Sequence, residues 1–525
     1  MAKHSLLGLP AEIQSRIVSY LAVPTSFKSI HAVLYTCKQL YEIALPFSVQ
    51  TYWDAELPYD PNRKPRPRSR TLQFLRYITI TKPELAECVD TIIVGSFSTQ
   101  EVDDHSDFEL GGLEDDEREL YEGLIHDTFS TGSDDWKQAR ADWLAGFDKG
   151  IQDAEVALLL VVCPKLKTLI FGEPYQPMIF SRVLNAAAKR NSSTDSKGSF
   201  LAQLEDVYHE STEGKYGYLG FEETASPVFQ IPSVRSYECI MLNGSNGSAD
   251  EIGRIPRGSS NIESIFLRKS NLTATTLKQI VGACKSLREF EFLRGVYHMY
   301  NLEVMPRDIL EILLPHADSL EYLHINSEEQ WEKPGWEDAP TKTYMGVELR
   351  EMTKLKTLVV GSQTITGLLD NPELLPFDQS ELKDAPRIVE CIPEKLEELQ
   401  IHSCGKPILP QLKEFLEATT KRKRFPNLKR VQILFNKESI DDDDVEHLGS
   451  PRDGVELEVV TQAEENRVYD LISSDGIGKE TPYISNICTR IWFPRSREIW
   501  LKYRGQDKAS ATVNEGVQER PEELF

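Results

Sequence analysis

Residues 320–325 read Leu320-Glu321-Tyr322-Leu323-His324-Ile325, and residues 355–360 read Leu355-Lys356-Thr357-Leu358-Val359-Val360. Apolar side chains stand at the first, fourth and sixth positions, with polar or mixed ones between. The form recurs at Val89–Val94, Leu166–Phe171, Leu204–His209, Ile262–Leu267, Leu287–Phe292, Leu396–Ile401 and Leu428–Ile433, and a degenerate copy begins at Val234. From Leu204 onward the interval is roughly 25 to 40 residues, the period of a repeat array. Successive side chains of a strand alternate across it, so each core predicts a short strand with its apolar residues turned inward. A helical stretch ending in a short turn precedes each core, as in Leu277–Ser286 before Leu287 and Ile309–His316 before Leu320. Strand and helix in alternation, with the strands stacked in parallel, bury a face that no single unit could bury alone.

The chain before the array reads differently. Pro10 stands where a first helical position tolerates a missing N–H, and Ile13, Ile17, Tyr20 and Leu21 follow at helical spacing. Pro24 ends that segment. Phe27, Ile30, Val33 and Leu34 give a second apolar face, and Cys37, Leu40, Tyr41, Ala44 and Leu45 a third that is expected to stop before Pro46. Three helices in so short a stretch form a small core with apolar surface left over.

The run Leu9-Pro10-Ala11-Glu12-Ile13, with Ile17, Tyr20-Leu21, Leu34, Thr36-Cys37-Lys38-Gln39-Leu40 and Ala44, resembles the F-box motif. The repeats resemble the irregular leucine-rich repeat arrays attached to F-boxes, particularly those of filamentous fungi. The resemblance implies an α/β chain in which an N-terminal three-helix F-box precedes a leucine-rich repeat solenoid. It implies docking on a Skp-family adaptor, and through it on a cullin, by Leu9, Pro10, Ile13, Ile17 and Leu21, with Leu34, Cys37 and Leu40 supplying the later part. Phe27-Lys28-Ser29-Ile30-His31 departs from the motif. The expected boundaries are an F-box over 1–53, a Pro/Arg-rich linker over 54–70, the array over 71–504 and a disordered tail over 505–525. Two solvated insertions, an acidic loop over about 100–122 and a Ser/Lys-rich one over 191–199, interrupt the array.

Composition narrows the function. An apolar fraction of 40% and a charged fraction of 27% belong to a folded chain. A formal net charge of −24 opposes nucleic-acid binding, which needs a concentrated basic surface. No stretch approaches the roughly 18 apolar residues of a spanning helix, and the N-terminus has no apolar leader, so no membrane is expected and the cytoplasm or nucleus is. The eight cysteines show no CxxC spacing, and the acidic runs lack the glycine and spaced oxygens of a cation loop, so neither metal nor cofactor is expected. No nucleophile elbow, phosphate loop, dinucleotide fingerprint or HExxH is present. The expected role is that of a non-catalytic substrate receptor of a ubiquitin ligase, the alternative being an F-box scaffold that assembles a complex without degradation. His209, His324 and His402 are expected to be surface residues. The outward strand positions form an open concave face, and its acids and aromatics, Tyr208, Phe266, Glu289, Glu291, Tyr322 and Glu398, are expected to hold a basic segment of a protein target.

Overall fold

Each LxxLxL core forms the strand that its alternation demands, and the strands join into one ladder. In the computed structural model they are β1 (Thr51–Asp54), β2 (Thr91–Val94), β3 (Thr168–Gly172), β4 (Asp206–Glu210), β5 (Leu219–Gly220), β6 (Ser236–Ile240), β7 (Leu242–Gly244), β8 (Ser264–Leu272), β9 (Glu289–Arg294), β10 (Tyr322–Asn326), β11 (Thr357–Gly361), β12 (Glu398–Cys404), β13 (Arg430–Phe435) and β14 (Glu456–Thr461). All but β5 and β7 pair in chain order, and the short β5 and β7 extend the sheet beside β8. Every pairing is parallel. The structure describes residues 6–21, 27–54, 70–95, 97, 113–129, 135–172, 179–191, 200–210, 219–220, 224–244, 255–294, 304–326, 342–367, 385–421, 424–435 and 448–461. All of them fall in one structural unit. The interior of the linker, the Ser/Lys-rich insertion beyond Asn191 and the polar tail lie outside the described residues.

The register places equivalent residues side by side. The fourth-position row runs Tyr52, Ile92, Leu169, Val207, Tyr237, Ile265, Phe290, Leu323, Leu358, Leu399, Val431 and Leu457. All but the last are buried. Helices behind the sheet close this core. Those at Gln152–Val162, Ile179–Asn191, Ala274–Ala283, Pro306–Leu313 and Leu409–Lys421 present Leu158, Val183, Ile280, Leu310 and Phe415 to it. Thr273 starts one of these helices by accepting the Thr276 N–H at 3.0 Å, which satisfies a donor left over in its first turn.

Three expectations are corrected. The acidic stretch is not a loop throughout, because Asp115–Phe129 is a helix. Its first-turn acids favour the helix N-terminus, Glu117 pairs with Arg76 at 2.6 Å, and Tyr121 and Ile125 reach the core. Charge density hid that spacing. The third N-terminal helix runs on through Pro46 to Ser48. The sheet also begins earlier and ends later than the recognised cores, with β1 and β14 at its two edges.

At the position just before each strand, the charges alternate in sign along the ladder. The order is Asp90, Lys167, Glu205, Arg235, Glu263, Arg288, Glu321, Lys356, Glu397 and Lys429, and each N–H bonds the carbonyl of the one before. Side chains follow suit. Arg288 lies 3.6 Å from Glu263 and 2.5 Å from Glu321, Lys356 lies 2.5 Å from Glu321, and Lys429 lies 2.5 Å from Glu397. The pairs of Arg288 and Lys356 are half-exposed, so each is worth about 0.2–1 kcal/mol. R288E, which sets three negative charges in a row, should lower stability by about 1–2 kcal/mol in urea unfolding. R288Q, which removes the attraction without adding repulsion, should lose less than R288E, and an unchanged midpoint in R288E would refute the role of the row.

Candidate functional site

The outward face of the sheet carries the residues expected to meet a partner. One row runs Ile170, Tyr208, Glu238, Phe266, Glu291, His324, Val359, Gln400, Gln432 and Glu458. The other runs Asp206, Ser236, Ser264, Glu289, Tyr322, Thr357, Glu398, Arg430 and Glu456. The second row is the accessible one. Glu398 and Glu456 are exposed, and Glu289, Tyr322 and Thr357 are half-buried.

The first row is closed at its centre, against the expectation that its members are open. Tyr208 and Glu291 are buried, and Phe266 is only 1% exposed. The cause is Arg268, two residues beyond Phe266 on the same strand. Its guanidinium bonds Glu238 on β6 and Glu291 on β9, the two register neighbours of Phe266. Glu291 also meets His324 Nδ1 at 3.1 Å and the Tyr322 hydroxyl at 3.5 Å. Burial alone would raise the Glu291 pKa and lower that of Arg268. The mutual attraction of the charges outweighs it in both, taking Glu291 down to about 2 and Arg268 above its ordinary range. Two of the expected acids thus differ in kind: Glu291 is ion-paired inside the protein, while Glu398 lies exposed at the surface.

The histidines are buried rather than superficial. His209 lies on the inward side, 2.9 Å from the Tyr237 hydroxyl and edge-on to Phe171. His402 reaches across Gly361 of β11, and its ring lies edge-on to His324 with centroids 6.2 Å apart. Burial pulls the pKa of His209 down to about 3, and burial with the neighbouring His324 does the same for His402. Among the described residues no three His, Cys, Asp or Glu side chains are grouped to hold a metal ion. Among them also, no helix is long and apolar enough to cross a membrane.

The N-terminal module is built on α1 (Ala11–Ser19), α2 (Phe27–Leu34) and α3 (Lys38–Ser48). Its buried apolar cluster is Val18, Ile30 and Ala44, with Leu21 and Leu34 packed against it. Leu9, Ile13 and Ile17 stay exposed at 37%, 44% and 39%, beside exposed Pro10 and with Leu6, Leu7 and Tyr20 also exposed. Cys37 is half-buried ahead of α3, and Leu40 is buried. Gln14, which the motif did not mark, is fully buried. It donates to the Leu9 carbonyl at 2.7 Å and accepts from Gln39 of α3 at 3.0 Å, so it ties the Leu-Pro opening to the third helix. A polar residue amid helically spaced apolar ones was the available signal.

The parallel ladder, the recurrent LxxLxL cores and the helices behind them define a repeat solenoid. The sequence matches the leucine-rich repeat domain family over residues 122–465, and the chain belongs to that family. Such domains are protein-interaction scaffolds and are typically non-catalytic. β1 and β2 lie before the matched span and continue the same ladder. No curated protein matches the chain.

Two consequences of the buried charges can be measured. R268M leaves two buried carboxylates without their cation and should cost about 3–5 kcal/mol at pH 7. With their pKa values raised, these carboxylates bind protons in the folded state, so the loss should shrink by pH 5, and E238Q/R268M/E291Q should be close to native. A loss independent of pH would refute the assignment. His209, neutral when folded, titrates near 6.5 when unfolded, so its contribution is present above about pH 6.5 and is lost toward pH 3 at about 1.4 kcal/mol per unit. H209F/Y237F should remove that part of the slope in urea midpoints measured between pH 7 and 4.5.

Proposed function

We propose that this chain is the substrate-recruiting subunit of a Skp-cullin-F-box ubiquitin ligase. The N-terminal helices dock on the Skp adaptor, the outward sheet face holds a protein target, and the separate conjugating machinery acts on that target by proximity. The observation that supports this reading is the exposed apolar surface of Leu9, Ile13 and Ile17 on a module with so small a core. Apolar patches of that kind mark protein contacts, and these are residues through which the F-box resemblance implies docking. Leu21, Leu34, Cys37 and Leu40 then act chiefly by shaping the helices that present the patch. On the target side, Glu289, Tyr322 and Glu398 offer a negatively charged, partly aromatic row to a basic segment. The cytoplasm or nucleus is the compartment in which that machinery operates.

Co-purification of the full chain with a Skp adaptor, with and without a cullin, tests the reading. The native chain should retain both, and L9A/P10A/I13A should lose the adaptor. Because those side chains are exposed, thermal unfolding should change by no more than about 0.5 kcal/mol. A native chain that retains neither partner sinks the proposal. Retention of the adaptor without the cullin favours the scaffold.

A further inference from the structure

We infer that the outward sheet face selects an unphosphorylated segment carrying lysine or arginine, and discriminates against the same segment once phosphorylated. This rests on the reading of that face as the target-binding surface and does not depend on adaptor docking.

Five cations of the face are committed. Arg268 is held between Glu238 and Glu291, and Arg430 pairs with Glu458. At the strand starts Arg288, Lys356 and Lys429 are each matched to a glutamate. A phosphate group would have to displace a carboxylate from one of them, exchanging one anion for another and leaving the displaced one unpaired. Phosphate-reading surfaces need arginines that are available to the ligand.

Two anions of the accessible row hold no cation among the described residues. Glu398 makes no ion pair among the described residues, and Glu289 accepts only the Ser264 hydroxyl, at 2.7 Å. A second, independent feature lies on the same face: His324 Nδ1 meets the Glu291 carboxylate, and its Nε2 has no partner among the described residues, although His324 is only 7% exposed.

Geometry adds a spacing. Glu289 and Glu398 stand on β9 and β12, three strand steps apart. At about 4.8 Å per step that is about 14 Å, the length of about four residues of extended chain crossing the strands. Tyr322 lies between them and can pack against the intervening side chains.

The test is a random dodecapeptide library displayed on phage and panned against the full chain, with recovered peptides synthesised and measured by fluorescence anisotropy. Recovered peptides should be enriched in lysine and arginine, with pairs about four residues apart. E289Q/E398Q should weaken their binding about tenfold, whereas D115N/D116N, the same change in charge at exposed residues of the helix Asp115–Phe129, should leave it unchanged. Phosphoserine placed between the basic residues should weaken binding by about the same factor. Absence of binders, absence of basic enrichment, equal loss in the two charge variants, or tighter binding of the phosphopeptide would each overturn the inference. If the native chain fails to hold the adaptor, the docking reading falls and this result stands; a library failure with adaptor retained does the reverse.

Discussion

The structure depends on one backbone arrangement repeated along the sheet: a single carbonyl at each strand start accepts two N–H groups from the next strand. The Glu321 carbonyl accepts from Lys356 at 2.8 Å and Thr357 at 3.1 Å, and the Lys356 carbonyl accepts from Glu397 at 2.8 Å and Glu398 at 2.9 Å. This double acceptance leaves no freedom of register. A slip of one residue would turn Leu323 and Ile325 outward and His324 into the core, an exchange no strand of this sheet could tolerate. The near identity of the strands creates a different hazard, pairing with the wrong neighbour. Alternating charges at the strand starts counter it. Skipping any one strand would bring like charges together, Glu263 against Glu321 or Arg288 against Lys356, so the energy of each weak pair is doubled as a penalty against the wrong order.

The same register produces the buried network on the opposite side of the strands. Once Glu238, Phe266 and Glu291 stand in line on β6, β8 and β9, an arginine two residues past the phenylalanine can reach both carboxylates. Moving those charges out of water is costly, and the network holds because each carboxylate meets a guanidinium nitrogen and Glu291 meets His324 as well. Its consequence for recognition is subtraction. It removes two acids and the most central cation from the surface, and hands the charge of the face to the outer row.

The fold was legible in the sequence because its signal is repeated, and every recognised core from Val89 to Leu428 became a strand. What stayed hidden depended on partners in space. Tyr52 and Leu457 lie in the inward row, but the first segment carries Asp54 at the sixth position and the last carries Gly454 at the first, so the pattern passed over both edges. The charge alternation was almost visible. Its members were apparent from Glu263 to Lys429, and only the weak core at Val234, which supplies Arg235, broke the sequence of signs at its start. Of the expected face, the row of Glu289, Tyr322 and Glu398 is accessible, whereas Tyr208, Phe266 and Glu291 are closed off. Strand alternation tells which side a residue takes, and it says nothing about an arginine that lies across its neighbours.

The N-terminal module divides its apolar residues between two tasks by a simple geometric rule. On α1 a nine-residue helix can turn only one stripe toward α2 and α3, and Val18 with Gln14 occupies it. Ile13 and Ile17, four residues apart, form the adjoining stripe and have no helix among the described residues to cover them. An interior glutamine is an odd choice if packing were the only demand, since an aliphatic side chain would bury more apolar surface. It makes sense if the backbone ahead of the helix must be held in place, because Gln14 reaches the Leu7 and Leu9 carbonyls while Gln39 fixes its other end. The polar tie trades some core stability for a defined position of Leu9 beside Ile13, which is what a preformed contact surface requires and a mere structural helix does not.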